Sequence, residues 1–207
     1  MWVLEIGCGT GNYGLLVSER TGASVFGVDP SWGMLVRGRE RPIGQVTFIQ
    51  ARAEELPFRD QSFDFLFSID VVHHLQKRRG MFAEALRVLK AGGVLCTVTE
   101  SHDQLRRRFM ATYFPSVTRA NLARFSDVPQ LVNWMRLVGF QDLEAEAFVS
   151  YEHVTPEYVE ALRSKEYSVL EFVPHEEFIV GLEKLRGDLA RCALVREEWH
   201  TFVWGRR

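Results

Sequence analysis

The sequence predicts an α/β fold in which a mostly parallel sheet carries helices on both of its faces. Short apolar runs alternate with segments of helical periodicity along the first half of the chain, and the first run stops at a cluster of glycines. Strands joined by helices form crossover connections, which are right-handed and build parallel sheets. A ligand of such a sheet binds at the carboxyl ends of the strands.

The first strand and the turn after it give the clearest of these signals. Residues 2–6 form an apolar run with one charge inside it, and Gly7, Gly9 and Gly11 then alternate with small residues. Glycines allow positive φ and let a ligand approach the backbone closely. A helix predicted over residues 12–20 would point its free N–H groups at the same place. A nucleotide-like ligand is therefore expected there.

The other elements follow in order along the chain. Ser31 and the pair Thr155-Pro156 mark helix starts, and Pro42 with Gly44 marks a helix end. The remaining strands are predicted over residues 24–28, 46–50, 62–70, 94–99, 141–151 and 198–204. The remaining helices are predicted over residues 32–40, 79–90, 101–110, 128–138 and 174–189, with a turn at 91–93 and a connector at 121–126.

Composition limits the classes of function. The 207 residues are 46% hydrophobic, enough for one domain with a full core, and the net charge of −2 argues against a nucleic-acid partner. Cys8, Cys96 and Cys192 form no metal-binding pattern, so we expect free thiols, no metal and a cytoplasmic location. No apolar run reaches the roughly 20 residues that span a bilayer, so no membrane partner is expected. Because the first strand begins at residue 1 or 2, we also expect a further segment to precede it in the natural protein.

Two classes of ligand fit the glycine turn. Residues 9–14 match the G-x-G-x-x-G pattern of dinucleotide-binding proteins, while residues 5–11 match the E/D-x-G-x-G-x-G pattern of S-adenosylmethionine-binding proteins. The first pattern needs its leading glycine directly after the strand, and Gly7 already holds that place. Asp29, at the end of the second strand, suits the ribose of either ligand because a carboxylate accepts hydrogen bonds from two hydroxyls. These residues alone indicate an adenosine cofactor.

A series of short motifs then extends over nearly half of the chain. The motifs are Val3-Leu-Glu-Ile-Gly-Cys-Gly-Thr-Gly11, Gly27-Val-Asp-Pro-Ser31, Met34-Leu35, Glu55-Leu-Pro-Phe58, residues 60–64, Val72-His-His-Leu75 and Val88-Leu-Lys-Ala-Gly-Gly93. In this order they resemble the class I S-adenosylmethionine-dependent methyltransferases. The resemblance implies a Rossmann-like, doubly wound, seven-stranded sheet whose last strand is antiparallel.

The resemblance also implies which residues bind the cofactor. Glu5 and the loop of Gly7, Cys8, Gly9 and Gly11 would hold its methionine end. The ribose and adenine would contact Asp29, Pro30, Ala53 and Glu54, and the sulfonium would lie over Ser68, Ile69 and Asp70. Arg52 departs from the family, which usually has an aspartate there to accept the adenine amino hydrogen. Since an arginine cannot accept a hydrogen bond, we expect Glu54 or a backbone carbonyl to replace it.

Other polar residues have both a functional and a structural interpretation. His73 or His74 is a candidate general base, but positioning the helix or lining the cavity is the simpler interpretation of both. Asp64 is expected to be a structural turn or cap residue. Transfer of a methyl group from a sulfonium needs mainly alignment, so the lack of an obvious base does not argue against an enzyme.

Beyond residue 100 the resemblance weakens and substrate specificity is expected to begin. Residues 101–126 and 152–197 are predicted to be helical insertions in a single domain of residues 1–207, and to form a cap on the substrate side. Arginines 106–108, with Arg119 and Arg124, indicate an anionic substrate, an RNA or a solvated helix face, of which the solvated face is the simplest. The candidate substrate residues are His102, Tyr113, Tyr151 and His153.

The resulting hypothesis is S-adenosylmethionine-dependent methyl transfer to a small molecule by direct in-line displacement, with S-adenosylhomocysteine as product. The acceptor atom and the oligomeric state, monomer or homodimer, stay open. An alternative is a non-catalytic cofactor-binding protein whose helical insertions bind a partner. An NAD-dependent oxidoreductase is a third possibility.

Overall fold

The computed structural model describes residues 1–41 and 46–207. Pro42 and Gly44, which are expected to end the second helix, lie outside the described residues. The chain divides into two compact units. The first, called the sheet unit, comprises Met1–Thr99, Val128–Glu146 and Phe202–Arg207, and the second, called the helical unit, comprises Glu100–Asp127 and Ala147–Thr201.

Seven strands form one sheet in the order β3-β2-β1-β4-β5-β7-β6. The strands are β1 (Trp2–Ile6), β2 (Ser24–Asp29), β3 (Val46–Gln50), β4 (Phe63–Ile69), β5 (Leu89–Thr99), β6 (Gln141–His153) and β7 (Val195–Arg206). Strand β1 pairs in parallel with both β2 and β4, β2 pairs in parallel with β3, and β4 pairs in parallel with β5. The sheet is mostly parallel with antiparallel last strands, as predicted.

Eight α-helices connect these strands within the described residues. They are α1 (Asn12–Thr21), α2 (Trp32–Arg39), α3 (Arg78–Val88), α4 (His102–Arg107), α5 (Ser116–Arg124), α6 (Val128–Val138), α7 (Pro156–Arg163) and α8 (His175–Arg191). The start of α7 follows the sequence signal, because the Thr155 side chain caps the helix by accepting a hydrogen bond from the Tyr158 N–H.

The predicted turn at residues 91–93 is wrong. Strand β5 begins at Leu89, which pairs with Phe63, and the register between β4 and β5 shifts between Phe63 and Phe65. Gly92 has a φ of 76°, a value that glycine adopts without strain. This glycine therefore allows an irregularity inside a continuous strand instead of ending the pairing.

The predicted connector at residues 121–126 is also wrong over most of its length, because α5 continues to Arg124. The carboxylate of Glu177 accepts hydrogen bonds from the N–H of Ser116 at 2.8 Å and from its hydroxyl at 2.5 Å. This distant carboxylate thus provides a hydrogen-bond acceptor for the first N–H group of α5. The predicted helix at 101–110 ends earlier, at Arg107, and a 3₁₀ turn follows over Phe109–Thr112.

Each unit has its own hydrophobic core. In the sheet unit, α3 and α6 cover one face of the sheet, where Leu4, Phe63 and Phe82 are fully buried. In the helical unit, Phe114, Leu162 and Leu185 belong to a separate buried cluster. The site described next is built entirely from the sheet unit.

Candidate active site

A cavity of about 520 Å³ lies in the sheet unit, beside the ends of β1, β2 and β4 and the segment that follows β3. This is the edge at which ligands of parallel sheets bind. Its lining residues are Gly7, Asp29, Pro30, Arg52, Ala53, Glu54, Ile69, Asp70, Val71, His74, Leu75 and Gln76. The structure thus brings together seven of the twelve predicted cofactor-binding residues in one cavity.

Gly7 begins the turn at the end of β1. Its φ is 72°, and a Cβ built on it would lie 2.4 Å from Cγ2 of Val71. No side chain fits in that space, so the chain leaving β4 packs directly against the backbone of the turn. Both segments line the cavity, and glycine at position 7 keeps them in contact.

The N–H groups of the glycine turn bind within the protein. The N–H groups of Gly7 and Cys8 donate to the Val28 carbonyl at 2.8 and 2.9 Å, and that of Gly9 donates to Oδ2 of Asp29 at 2.9 Å. A diphosphate needs free donors at such a turn. These three donors are already used, so this part of the turn is not arranged for the diphosphate of a dinucleotide.

Asp29 is held in place at the end of β2. Its Oδ2 accepts from Gly9 and its Oδ1 accepts the N–H of Ser31 at 2.8 Å. A carboxylate has about four acceptor positions, so each oxygen keeps capacity for another donor. Asp29 is a preorganised acceptor at the wall of the cavity.

Glu5 lies below the turn and does not line the cavity. It is 2% exposed, and its Oε2 accepts the N–H of Gly14 at 2.9 Å. Burial raises its pKa, the Gly14 hydrogen bond lowers it and the nearby charge of Asp29 raises it, so that the pKa lies at about 7. Glu5 thus connects the turn to α1 from beneath.

The segment after β3 forms another wall. Ala53 is buried, the Glu54 side chain is mostly buried, and Arg52 is largely exposed with its Nε 3.9 Å from Oε2 of Glu54. The Glu54 carboxylate is thus an acceptor within the cavity. Position 52, where the resemblance leads to an aspartate, supplies a cation at the rim instead.

Arg87 of α3 anchors the continuation of this segment. Its guanidinium donates to the carbonyls of Leu56 at 2.9 Å and Phe58 at 2.7 Å, and also to the carboxylates of Glu84 and Asp60 at 2.8 Å. The hydrogen bonds to Glu84 and Asp60 hold the pKa of Arg87 above its ordinary value. The motif Leu56-Pro-Phe58 is thereby fixed to a helix of the core.

The end of β4 supplies the last wall. Ile69 and Asp70 line the cavity, and Asp70 has a φ of 55°, which is uncommon outside glycine and turns the chain sharply after the strand. Ser68 is fully buried and shares a 2.8 Å hydrogen bond with Thr97, so its hydroxyl faces β5. The hydrogen-bonded pair of Ser68 and Thr97 fixes β4 to β5 next to Ile69 and Asp70, which line the cavity.

Histidines 73 and 74 occupy a short 3₁₀ helix over Val72–His74, with ring centroids 4.1 Å apart. His74 lines the cavity and His73 does not. Val71, Leu75 and Gln76 also line the cavity and were not predicted from the sequence, although Leu75 belongs to the His-His-Leu motif and Val71 and Gln76 flank the motif Val72–Leu75. Tyr13, in the first turn of α1, does not line the cavity, but burial and the nearby carboxylates of Asp70 and Glu5 raise its pKa.

The remaining predicted site residues lie elsewhere. Of the cofactor candidates, Glu5, Cys8, Gly9, Gly11 and Ser68 do not line this cavity. The four substrate candidates belong to the helical unit. His102 contacts the Phe125 carbonyl through Nε2 at 3.0 Å, Tyr113 is buried and donates its hydroxyl to Asp188 at 3.2 Å, and Tyr151 and His153 are exposed. Their part in substrate binding stays a prediction.

Two further kinds of feature, a metal site and a membrane-spanning helix, are absent from the described part of the chain. Residues 1–41 and 46–207 contain no group of three or more His, Cys, Asp or Glu side chains placed to hold a metal ion. No helix within the same ranges is both long enough and apolar enough to cross a membrane.

Asp64 pairs with Lys90 at 2.7 Å and accepts the Trp2 N–H at 2.7 Å, which is a structural role.

Comparison with known proteins agrees with this geometry. Residues 4–97 match the family model described as a methyltransferase domain. The chain is 32% identical to a demethylmenaquinone methyltransferase of Clavibacter sepedonicus over 69% of this chain and 66% of the relative. It is 28% identical to a tRNA U34 carboxymethyltransferase of Ectopseudomonas mendocina over 68% of this chain and 45% of the relative. The chain therefore spans less than two thirds of the length of these curated relatives.

A solved structure has the same fold. Phosphoethanolamine N-methyltransferase 2 of Haemonchus contortus, in complex with S-adenosyl-L-methionine, superposes with a TM-score of 0.62 at 22% identity. The superposition covers 100% of this chain and 48% of that one. This likeness concerns the fold alone. The matched domain and the sequence relatives support the assignment of the chain to the class I S-adenosylmethionine-dependent methyltransferases.

Proposed function

We propose that this chain binds S-adenosylmethionine in the cavity of the sheet unit and transfers its methyl group to a small-molecule acceptor. The observation that carries the proposal is the convergence of the glycine turn, Asp29, the Ala53–Glu54 wall and Asp70 on one cavity at the carboxyl edge of the sheet. The match of residues 4–97 to a methyltransferase domain supports it.

The charges of the cavity fit a cationic cofactor. Three carboxylates line it, those of Asp29, Glu54 and Asp70, against the single cation of Arg52. A negative cavity attracts the positively charged sulfonium of S-adenosylmethionine and repels the diphosphate of NAD. The same conclusion follows from the N–H groups of the turn, which bind within the protein instead of remaining free for phosphate oxygens.

Each part of the cofactor can be assigned to particular lining residues. Asp29 has free acceptor capacity for the two ribose hydroxyls, Ala53 offers its backbone to the adenine, and Glu54 replaces the usual aspartate as acceptor of the adenine amino group. Pro30 and Leu75 provide apolar surface beside these polar groups. Ile69 and Asp70 lie where the strand ends, and their carbonyls and carboxylate suit a positive centre.

The cofactor supplies an activated methyl group, and the protein supplies alignment. The walls of the cavity fix the position of the methyl donor, so that an acceptor atom entering from the opposite side meets it in line. His74, at the edge of the cavity, is the candidate to accept a proton from an acceptor that must lose one. An acceptor that is already a nucleophile at neutral pH needs no such base.

The test is formation of S-adenosylhomocysteine by the purified full chain, measured by mass spectrometry against a panel of small-molecule acceptors. Product formation that depends on an added acceptor supports the proposal. Binding of the cofactor without turnover of any acceptor, combined with capture of a stable protein partner, would instead favour the non-catalytic alternative. The Asp29→Ala variant is the matched control and should lose cofactor binding.

The adenine contact has its own test. If Glu54 accepts the adenine amino hydrogen, the Glu54→Gln variant loses a charge-assisted hydrogen bond and binds S-adenosylhomocysteine about tenfold more weakly. An analogue that lacks the amino group should bind the wild type and the variant equally. A wild-type protein that binds the analogue as well as the natural cofactor would rule out this contact.

A further inference from the structure

A second cavity of the sheet unit, of about 660 Å³, begins at the wall of the first. It is lined by Leu75, Gln76, Lys77, Arg78, Arg79, Gly80 and Trp134, and so shares Leu75 and Gln76 with the candidate active site. Three consecutive side chains in it are cationic, and its lining contains no acidic residue. This set is called the basic cavity below.

Two of the cations of the basic cavity, Lys77 and Arg79, lie outside the ion pairs of the described residues. Within the described residues, no carboxylate forms an ion pair with Lys77 or Arg79. The first turn of α3 contains no acidic residue either. The helix dipole opposes cations at the start of a helix, so an anion that binds Lys77 and Arg79 would offset this repulsion.

Other arginines of the chain differ in this respect. Arg106 pairs with Asp103 at 2.9 Å, and the guanidinium of Arg108 bonds to the buried carboxylate of Glu100 at 2.6 Å. These residues belong to the arginine cluster that the sequence analysis offered as an anion site. Their charges are neutralised within the helical unit, whereas the basic cavity has no such carboxylates in its wall.

Trp134 adds an apolar surface to the same cavity. It belongs to α6, which packs against α3, and its ring is partly buried. A flat ring beside several donors suits a ligand that has both an anionic group and an unsaturated or ring portion. Phosphate and carboxylate groups are the anions that arginine and lysine recognise.

We propose that the methyl acceptor carries a phosphate or a carboxylate group, which binds Lys77 and Arg79 while the body of the acceptor lies between Trp134 and the shared wall of Leu75 and Gln76. This proposal rests on the proposed function, because only a methyltransferase has an acceptor. It assigns the acceptor a chemical class and a binding place adjoining the cofactor.

The test uses phenyl phosphate as probe and the full chain as protein. Binding is followed by quenching of tryptophan fluorescence and by calorimetry, and the Trp134→Phe variant identifies the signal of that ring among the five tryptophans. The probe should bind the wild type and should quench Trp134. Phenol, which lacks the phosphate, should not bind measurably.

The variant Lys77→Met/Arg79→Met removes two charges from the basic cavity and should weaken phenyl phosphate binding at least about tenfold, as expected for two lost charge-assisted hydrogen bonds. Its matched control is Arg20→Met/Arg37→Met, which removes the same charge from exposed positions of α1 and α2. The control should bind like the wild type. A charge-preserving variant, Lys77→Arg/Arg79→Lys, should retain binding and excludes a folding defect.

Binding of S-adenosylhomocysteine is measured in parallel, so that the two proposals can fail separately. The methionine double variant should bind S-adenosylhomocysteine as the wild type does. Equal phenyl phosphate binding by the double variant and its control would overturn the anion proposal, and so would binding of an RNA oligonucleotide in place of the probe. Failure of the wild type to bind S-adenosylhomocysteine would contradict the proposed function instead.

Discussion

Glu5 is a carboxyl group that the fold removes almost entirely from water. Its pKa in the folded protein, about 7, lies above its ordinary value of 4.5, so folding favours the protonated form. Its contribution to stability is complete below pH 4.5 and is lost as the pH rises through 7. A shift of this size corresponds to about 3 kcal/mol of unfolding free energy.

The variant Glu5→Gln should remove this dependence, because glutamine does not ionise and can still accept the Gly14 N–H. Urea unfolding at several pH values measures it. The wild type should lose stability relative to the variant by about 3 kcal/mol between pH 4 and pH 8. A constant difference in unfolding free energy between the two proteins across this range would show that the pKa of Glu5 is not raised by folding.

Replacement of Gly7 should affect both the stability of the protein and its affinity for the cofactor. Gly7→Ala combines a strained φ of 72° with a contact of 2.4 Å to Val71, whereas Gly22→Ala has a similar φ of 66° and open space around it. We expect Gly22→Ala to cost about 1 kcal/mol and Gly7→Ala to cost at least about 2 kcal/mol. Only Gly7→Ala should weaken cofactor binding. Equal effects of both on affinity would contradict the assigned position of the turn.

The residues of the cavity differ in how far the sequence predicts them. Gly7, Asp29 and Asp70 lie at or directly after the ends of strands, Ala53 lies three residues after β3, and the carboxyl ends of parallel strands meet at one edge. Ser68 and Cys8 are neighbours of such residues in the chain, but they face away from the cavity. The side chain of Ser68 faces Thr97 of the adjacent strand, and a single sequence contains no signal for that pairing.

At the scale of elements, two residues of α3 hold the segment from Arg52 to Phe58: Arg87, and Glu84, whose Oε2 accepts the Leu56 N–H at 2.8 Å. Arg87 bonds two carbonyls of this segment and two carboxylates nearby. The variant Arg87→Met removes the donor to the Leu56 and Phe58 carbonyls and should cost about 2–3 kcal/mol. The exposed Arg191, paired with Asp188 at 3.6 Å, is the control, and Arg191→Met should cost less than about 1 kcal/mol.

The same variant should loosen the cavity wall. Hydrogen exchange of residues 51–58 is expected to accelerate in Arg87→Met, with a parallel loss of cofactor affinity, because Ala53 and Glu54 precede the anchored carbonyls. Unchanged exchange in this segment would show that the wall is held by other contacts. Arg87 was not recognised from the sequence, since its partners lie up to 31 residues away in the chain.

The sequence predicts strands and helices correctly where the hydrophobic periodicity and the start and stop signals agree. This is so for β3 and α6, which have the predicted bounds. The errors have tertiary causes. Gly92 adopts positive φ within a paired strand instead of ending a helix in a turn. The start of α5 at Ser116 depends on Glu177, which is 61 residues away in the chain. Local sequence cannot reveal a partner at such a distance.

At the scale of the whole molecule, charge distribution matters more than net charge. Although the net charge is only −2, the acidic cavity of the candidate active site and the basic cavity lie side by side and share a wall. This separation suits a cationic methyl donor beside an anionic acceptor. The helical unit has its own buried cluster, and the prediction that residues 101–126 and 152–197 cap the substrate side stays a prediction.

The most direct test of this account is calorimetric titration of the full chain with S-adenosylmethionine, S-adenosylhomocysteine and NAD under identical conditions. The acidic lining and the internally bonded glycine turn predict that the first two bind with micromolar affinity and that NAD does not bind. Binding of NAD with similar affinity would contradict the assignment of the cavity. Lack of binding by all three would contradict the presence of a functional adenosine site in this chain.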